Sequence, residues 1–260
     1  MKISVFTPSH NLKYIERTLK SLLKQTFKDF EWVLLLNGDA AKEKSSFEKK
    51  LKKKKINYRF VESFQVENKN IGYLKHECCN ACQGEILVEL DHDDELTPDC
   101  LEELSKAFDD GYDFVYSDDY SIHINNGKEE YTAPFPPQNG WLTKHDNDGN
   151  IYHPGFSPSA LAFSYIWYAP DHVRAWRKSF YEKIGGHKAD LDVCDDYDLV
   201  CRSYINGKCH HIQKPLYKYF FHSDRTSGNE KNEKIQELTH DLHDEYIEDI
   251  VVKWCDDNKL

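Results

Sequence analysis

The chain has 260 residues with a formal net charge of −11, and 39% of its residues are hydrophobic. This length fits one α/β domain and leaves little room for a second independent core. The acidic balance argues against nucleic acid as a partner, because phosphate binding requires a basic face. No segment approaches the roughly 20 apolar residues that cross a membrane, so we expect no transmembrane segment. The eight cysteines lack the paired spacing of zinc sites, and we expect free thiols.

A lysine-rich run at 49–55 is the local exception to the acidic balance. A solvated helix end explains it most simply, and peripheral contact with an anionic membrane is the alternative. The N-terminal residues enter a strand pattern at once and do not resemble a signal peptide. We therefore expect a soluble, cytoplasmic protein, with peripheral contact at a membrane as the alternative. The sequence leaves the oligomeric state open.

Strand and helix patterns alternate through the first half of the chain, as in a parallel sheet with flanking helices. Continuous apolar runs predict buried strands, and apolar residues at helical spacing predict amphipathic helices. The predicted strands are 3–7, 32–36, 58–61 and 86–90. The predicted helices are 12–27, a lysine- and glutamate-rich helix before residue 58, and 72–81.

The second half begins in the same way and then becomes irregular. A helix is predicted to start at Pro98, followed by a strand at 114–116 and a hairpin at 121–132. Residues 133–175 contain six prolines and little periodicity. A long irregular segment in a compact domain is more often functional than idle. The remaining predicted elements are helices at 177–184 and 195–205, a strand at 210–222 and a helix at 233–254.

An acidic cluster follows the fourth predicted strand, with Asp91, Asp93 and Asp94 in four consecutive residues. Carboxylates at a strand end are costly unless a cation or a hydrogen-bond donor neutralises them. Ligands of open α/β sheets also bind outside the carboxyl ends of strands. Two aspartates at i and i+2 can face one hard cation, and that cation can bridge a diphosphate. The alternative is an acidic turn before a helix, which suits Asp94 at least as well.

This cluster belongs to an ordered set of motifs that resembles a known family. The chain looks like the family-2 inverting glycosyltransferases with the A-type, nucleotide-sugar-binding fold, over about residues 3–225. The matching segments are 5–11, 21–31, 70–72, 84–86, 90–94, 185–187 and 195–199, with Arg202.

The resemblance implies an α/β fold, a single Rossmann-like A-type glycosyltransferase domain with a central, mostly parallel sheet and flanking helices. It implies a domain at 1–228, with a nucleotide-binding half at 1–120 and an acceptor and catalytic half at 121–228. A C-terminal helix at 229–260 is expected to pack on that domain.

The resemblance also assigns roles by position. The expected donor is a UDP-sugar, and it is expected to contact Thr7, Pro8, Ser9, Asn37, Lys75, Asp91, His92 and Arg225. Asn37 stands where the family usually has an aspartate that contacts the uracil. Mn²⁺ or Mg²⁺ is expected at Asp91 and Asp93, with His222 as a third ligand.

Asp196 aligns with the catalytic base of the family, and its neighbour Asp195 replaces the usual glutamate. An inverting transfer needs one carboxylate to take the proton of the acceptor hydroxyl. Capping of a helix start is the alternative role for both aspartates. The acceptor, a glycan or another hydroxyl compound, or the transferred sugar is expected at an aromatic segment before this helix, with candidates Trp167, His172, Arg174 and Trp176. A place in the core is the alternative for Trp176.

Three other functions compete with glycosyl transfer. A catalytically inactive relative that binds carbohydrate or nucleotide-sugar is disfavoured, because Asp91, Asp93 and Asp196 are all present. A sugar nucleotidyltransferase needs a glycine-rich phosphate loop after the first strand, and residues 9–13 contain no glycine. A haloacid-dehalogenase-type phosphatase would carry its acidic motif directly after the first strand.

Overall fold

The computed structural model of the chain describes residues 1–62, 70–133, 143–164, 170–222 and 229–259. The strands are β1 Ile3–Ser9, β2 Phe30–Leu36, β3 Tyr58–Phe60, β4 Ile86–Glu89, β5 Glu95–Leu96, β6 Phe114–Asn125, β7 Lys128–Thr132, β8 Lys144–His145, β9 Ile151–Tyr152, β10 Arg174–Arg177 and β11 Cys209–Phe221. The helices are α1 Ile15–Leu23, α2 Gly38–Lys54, α3 Ile71–Ala81, α4 Cys100–Asp109, α5 Ala160–Ser164, α6 Lys178–Lys183, α7 Asp195–Asn206 and α8 Asn229–Asn258.

One large sheet organises the described residues, with strand order β3-β2-β1-β4-β10-β6-β11-β5 and β7 paired to β6. The pairs β1–β2, β2–β3, β1–β4 and β6–β11 are parallel. Strands β1, β2 and β4 are buried along their whole length, as expected for strands covered by helices on both faces. The predicted fold class, an α/β domain with a mostly parallel sheet, is confirmed.

Strand β10 departs from the prediction. The predicted strands did not include residues 174–177, yet they lie antiparallel between β4 and β6 at the centre of the sheet. Strand β6 is also longer than expected, because the predicted strand at 114–116 and the first arm of the hairpin are one continuous strand. The insertion of β10 brings Arg174 beside the end of β4, where the acidic cluster begins.

Two hydrophobic clusters cover the two faces of the sheet. Alternation along β1 sends Val5 to the cluster that includes α1, α2 and α4, and Phe6 to the cluster that includes α3, α6 and α7. Helix α8 adds Leu242, Tyr246 and Ile250 to the second cluster. The cysteines are free thiols, as predicted. No helix within the described ranges combines the length and apolar character of a membrane span.

Candidate active site

A cleft of about 530 Å³ opens where β1 and β4 end and the first turns of α3 and α7 meet them. The sequence places polar side chains here because the carboxyl ends of parallel strands meet at one edge of a sheet. Asp91, Asp93, Asp195 and Asp196 all line this cleft, although about a hundred residues separate the two pairs in sequence. The two acidic clusters are therefore brought together.

The loop after β4 is tied to β11 through Asp94. Its buried carboxylate accepts hydrogen bonds from the Tyr217 hydroxyl and the Phe220 backbone N–H, both at 2.8 Å. Burial and the charges of Asp93 and Asp91 raise the pKa of Asp94 well above its usual range. These contacts make Asp94 a structural residue that fixes where Asp91 and Asp93 lie.

Asp93 and His222 form the pair most suited to a metal ion. The His222 Nε2 atom lies 2.7 Å from Asp93 Oδ2, and the two side chains are 13% and 17% exposed. A carboxylate and an imidazole suit Mn²⁺, and a Mg²⁺ or Mn²⁺ site is often completed by phosphate oxygens and water. Among the described residues, no three histidine, cysteine or acidic side chains converge on one metal position.

Asp195 and Asp196 begin α7, and each is paired with a different cation. Lys75 Nζ lies 3.0 Å from Asp195 Oδ2, and Arg174 Nη1 lies 2.8 Å from Asp196 Oδ2. Burial raises the pKa of Asp195 to about 6, against the opposite effect of Lys75. Burial also acts to raise the pKa of Asp196, but Arg174 and Lys75 prevail and lower it to about 2. The side chain of Asp196 is 38% exposed, so it is the carboxylate that a substrate can reach.

His172 lies against the other acidic pair. Its Nε2 atom is 3.7 Å from Asp91 Oδ2, and its ring stacks on Tyr217 with 4.6 Å between centroids. Burial and the nearby Arg174 lower the pKa of His172 to about 4. The imidazole is therefore neutral at physiological pH and can donate or accept a hydrogen bond in the cleft.

Several predicted donor-binding residues line the cleft: Pro8, Ser9, Asn37, Lys75, Asp91 and His92. The Asn37 side-chain oxygen is buried without a hydrogen-bond partner in the described structure, so it can accept a hydrogen bond from a ligand. The ammonium of Lys75 is already neutralised by Glu89 and Asp195, at 2.7 and 3.0 Å. These ion pairs favour a supporting role for Lys75 over the predicted contact with the donor.

Two of the predicted contacts are not supported by the described structure, because the side chains of Thr7 and Trp176 are fully buried away from the cleft. The Thr7 hydroxyl donates to the Leu90 carbonyl and accepts a hydrogen bond from the Trp32 indole. The Trp176 ring is 0% exposed and stacks on Phe114 in the core, so it cannot contact a sugar. Trp167 and Arg225, predicted to bind substrate, lie outside the described residues.

Glu89 is the residue of this site that the sequence analysis missed. It is 0% exposed on β4 and pairs with both Lys75 and Arg174. The available signal was a glutamate inside the otherwise apolar run 86–90. A buried charge in such a run needs a charged partner, and charged partners in an α/β domain often belong to a site.

Comparison with known proteins gives concordant matches. The profile of glycosyl transferase family 2 matches residues 4–184, which is most of the chain and ends before α7. Chondroitin synthase from Escherichia coli is 25% identical over 235 residues, covering 86% of this chain and 30% of its own length. Putative glycosyltransferase EpsH from Bacillus subtilis is 28% identical over 227 residues, covering 85% of this chain and 61% of its own length.

Solved structures share the fold. The crystal structure of S. aureus TarS 1-349 in complex with UDP-GlcNAc superposes with a TM-score of 0.69 at 19% identity, covering 93% of this chain and 66% of that chain. The complex of the same protein with UDP gives a TM-score of 0.65 at 20% identity, covering 93% of this chain and 65% of that chain. The chain spans less than a third of the length of the first curated relatives. Because the family profile matches well over half of the chain, the chain belongs to glycosyl transferase family 2.

Proposed function

We propose that this chain transfers a sugar from a nucleotide-diphosphate donor, a UDP-sugar, to a hydroxyl group of a glycan or a similar acceptor. The observation that carries the proposal is the shared cleft of Asp91, Asp93 and Asp196. Its volume of about 530 Å³ lies in the range of small-molecule sites. The TarS structures with UDP-GlcNAc and UDP, which share the fold, favour a uridine donor.

Asp196 is the proposed base. It is ionised at neutral pH, since the pKa of about 2 set by Arg174 lies far below 7. The acceptor hydroxyl would approach its exposed carboxylate and transfer a proton to it as the oxygen attacks the anomeric carbon. A direct attack of this kind inverts the configuration at that carbon. Arg174 holds the carboxylate through Oδ2 and orients it for the incoming alcohol.

Asp93 and His222 would hold a divalent ion, with Asp91 beside them. When bound, such an ion neutralises the negative charge of the departing diphosphate. His172, neutral and next to Asp91, supplies a hydrogen-bonding group on the same wall of the cleft. Asn37 lies at the end of β2, and its side-chain oxygen has no hydrogen-bond partner among the described residues. This oxygen can accept a hydrogen bond from an N–H group of the nucleobase.

The first test measures release of UDP from a panel of UDP-sugars with Mn²⁺ and a mixture of glycan acceptors. We expect release that EDTA abolishes and that metal restores. Absence of both UDP release and UDP binding across the panel would contradict the proposal. The anomeric configuration of the product, read by NMR, tests inversion.

Replacing the base gives a sharper result. We expect Asp196→Asn to lower transfer by about 10²–10⁴-fold, the usual contribution of a general base, and to leave UDP affinity unchanged. The matched control is Asp190→Asn, an exposed residue just before α7 that does not line the cleft. Wild-type transfer by Asp196→Asn would remove it as the base.

A further inference from the structure

A carboxylate that no substrate can touch lies beneath the cleft. Glu89 is the last residue of β4 and is 0% exposed. Its Oε1 atom lies 2.7 Å from Lys75 Nζ, and its Oε2 atom accepts a hydrogen bond of 2.9 Å from Arg174 Nε. Each oxygen thus meets a different cation. Such contacts offset the large cost of placing a charge inside a sheet.

The same two cations continue to the catalytic aspartates. Lys75 reaches Asp195 at 3.0 Å, and Arg174 reaches Asp196 at 2.8 Å through a second nitrogen of its guanidinium. A guanidinium is planar and its donors are fixed relative to one another. Holding Nε on Glu89 therefore fixes the direction in which Nη1 points, and with it the location of Asp196 Oδ2.

Charge also couples these residues. Three carboxylates, those of Glu89, Asp195 and Asp196, share two cations, Lys75 and Arg174. Each cation is therefore shared between Glu89 and one of the two aspartates. Burial and the negative charge of Glu89 act to raise the pKa of both aspartates, Lys75 acts to lower both, and Arg174 acts to lower that of Asp196.

On these contacts, and resting on the proposed transfer reaction, we propose that Glu89 is a positioning residue that holds Lys75 and Arg174, which in turn hold the buried Asp195 in place and orient Asp196 toward the acceptor. Its carboxylate connects four elements, β4, α3, β10 and α7, beneath the cleft. The reacting atoms lie beyond its reach, and it acts through the two cations. Other titratable groups around the aspartates are Asp171 before β10 and His187 and Cys194 before α7, and His172 lies near Glu89.

The chain offers a matched control. Glu31 is also a buried glutamate, on β2, 1% exposed, and it pairs with Arg59 at 3.2 Å. It accepts further hydrogen bonds from the Ser4 hydroxyl and the Gln83 backbone N–H. None of these four residues lines the cleft. Replacing Glu31 removes a buried charge without touching the aspartates.

The test compares Glu89→Gln and Glu89→Asp with Glu31→Gln in the full chain. Supporting groups that orient reactive ones typically contribute 10- to 100-fold, so we expect Glu89→Gln to lower kcat by about that factor, with little change in the KM for the donor. Glu89→Asp keeps the charge but withdraws the carboxylate, and we expect a smaller loss. Glu31→Gln should lower stability and leave kcat unchanged. An unchanged kcat in Glu89→Asp and Glu89→Gln would overturn the inference.

A second readout does not depend on activity. The carboxyl carbon of Asp195 can be followed by NMR during a pH titration, with Asp195→Asn used to assign it. In the wild type we expect a midpoint near 6. In Glu89→Gln it should fall, because a neighbouring negative charge has been removed. Should Glu89→Gln not fold, Glu89→Asp provides the comparison, with a smaller change in the midpoint.

The two readouts separate the inference from the function on which it rests. If the wild type transfers no sugar, the proposed function fails, and a moved Asp195 midpoint still supports the connection through Lys75. If the wild type is active and neither kcat nor the midpoint responds to Glu89→Gln, the positioning role fails alone. A uniform loss of activity in Glu31→Gln as well would also overturn it, because any buried glutamate would then have the same effect.

Discussion

Asp195 and Asp196 are neighbours in the chain, yet the pKa values of their carboxyl groups are shifted in opposite directions. The Asp195 residue is 4% exposed, and burial raises its pKa to about 6. Arg174 outweighs burial at Asp196 and lowers its pKa to about 2. The difference arises because Asp196 is paired with Arg174, whereas Asp195 lies deeper and is paired with Lys75. Near neutral pH both are ionised, and the Asp196 carboxylate is the more exposed of the two.

The raised pKa of Asp195 has a consequence for stability. The folded state holds its proton more tightly than the unfolded state, so the contribution of Asp195 is most favourable below pH 4 and declines as pH rises toward 6. Replacing it with asparagine removes this decline. From pH 4 to pH 6, we expect the free energy of unfolding of Asp195→Asn to increase relative to that of the wild type by about 2 kcal/mol.

Urea unfolding of both proteins at pH 4, 5, 6 and 7 provides the measurement. The exposed substitution Asp190→Asn serves as the control and should show no such trend. A difference between Asp195→Asn and the wild type that stays constant across this range would show that Asp195 has an ordinary pKa.

At the scale of elements, the start of α3 is set by a close contact. The Gly72 N–H donates to the Leu191 carbonyl at 3.0 Å. A methyl group on Gly72 would lie 2.0 Å from the backbone oxygen of Lys188, far inside van der Waals contact. Only glycine lets α3 approach the turn before α7 this closely. Lys75 follows one turn later, so this contact also places the ammonium between Glu89 and Asp195.

We therefore expect Gly72→Ala to lower stability by about 1–3 kcal/mol, the usual cost of overpacking. Transfer should fall as well, since α3 must move and take Lys75 with it. Urea unfolding and the UDP-release assay measure the two effects. Asn80→Ala, on the exposed side of the same helix, is the control. If Gly72→Ala were as stable as that control, the close approach would not be required.

Elements with a clear pattern of apolar residues could be predicted from the sequence. Elements whose place depends on pairing with residues far away in sequence could not. The apolar runs of β1, β2 and β4 and the spacing of α1 identified them correctly. Strand β10 has only four residues, with an arginine at each end, and its place depends on β4 and β6, which lie far away in sequence. The site divides in the same way. Its acidic motifs are local in sequence, whereas the roles of Glu89 and Lys75 follow from contacts between separate elements.

At the scale of the whole molecule, α8 is attached to the rest of the domain through a buried charge. Asp198 is 0% exposed, and its Oδ1 atom accepts a hydrogen bond of 2.7 Å from the Tyr246 hydroxyl. Lys188 pairs with the same oxygen at 2.7 Å, and Arg202 pairs with the other. The C-terminal helix thereby packs against α7, the helix that begins with Asp195 and Asp196.

Removing one hydroxyl tests this attachment. We expect Tyr246→Phe to lower the free energy of unfolding by about 1.5–3 kcal/mol, because the lost hydrogen bond is made to a charged group. The control is Tyr58→Phe, which removes a longer hydrogen bond of 3.3 Å to Glu48 at the protein surface. Urea unfolding compares the two. Equal losses of unfolding free energy in the two variants would mean that the buried hydrogen bond to Asp198 contributes no more to stability than the hydrogen bond to Glu48.

The antiparallel strand β10 also affects the order in which the chain can assemble on the ribosome. Until residue 177 has emerged, β10 cannot form, so β4 has an unpaired edge on the side away from β1 and β6 has an unpaired edge on the side that faces β4. Open strand edges are where nascent chains pair with the wrong partner. The first 120 residues therefore cannot complete their own sheet. This nascent half remains exposed to misassembly until a segment made much later is inserted at its centre.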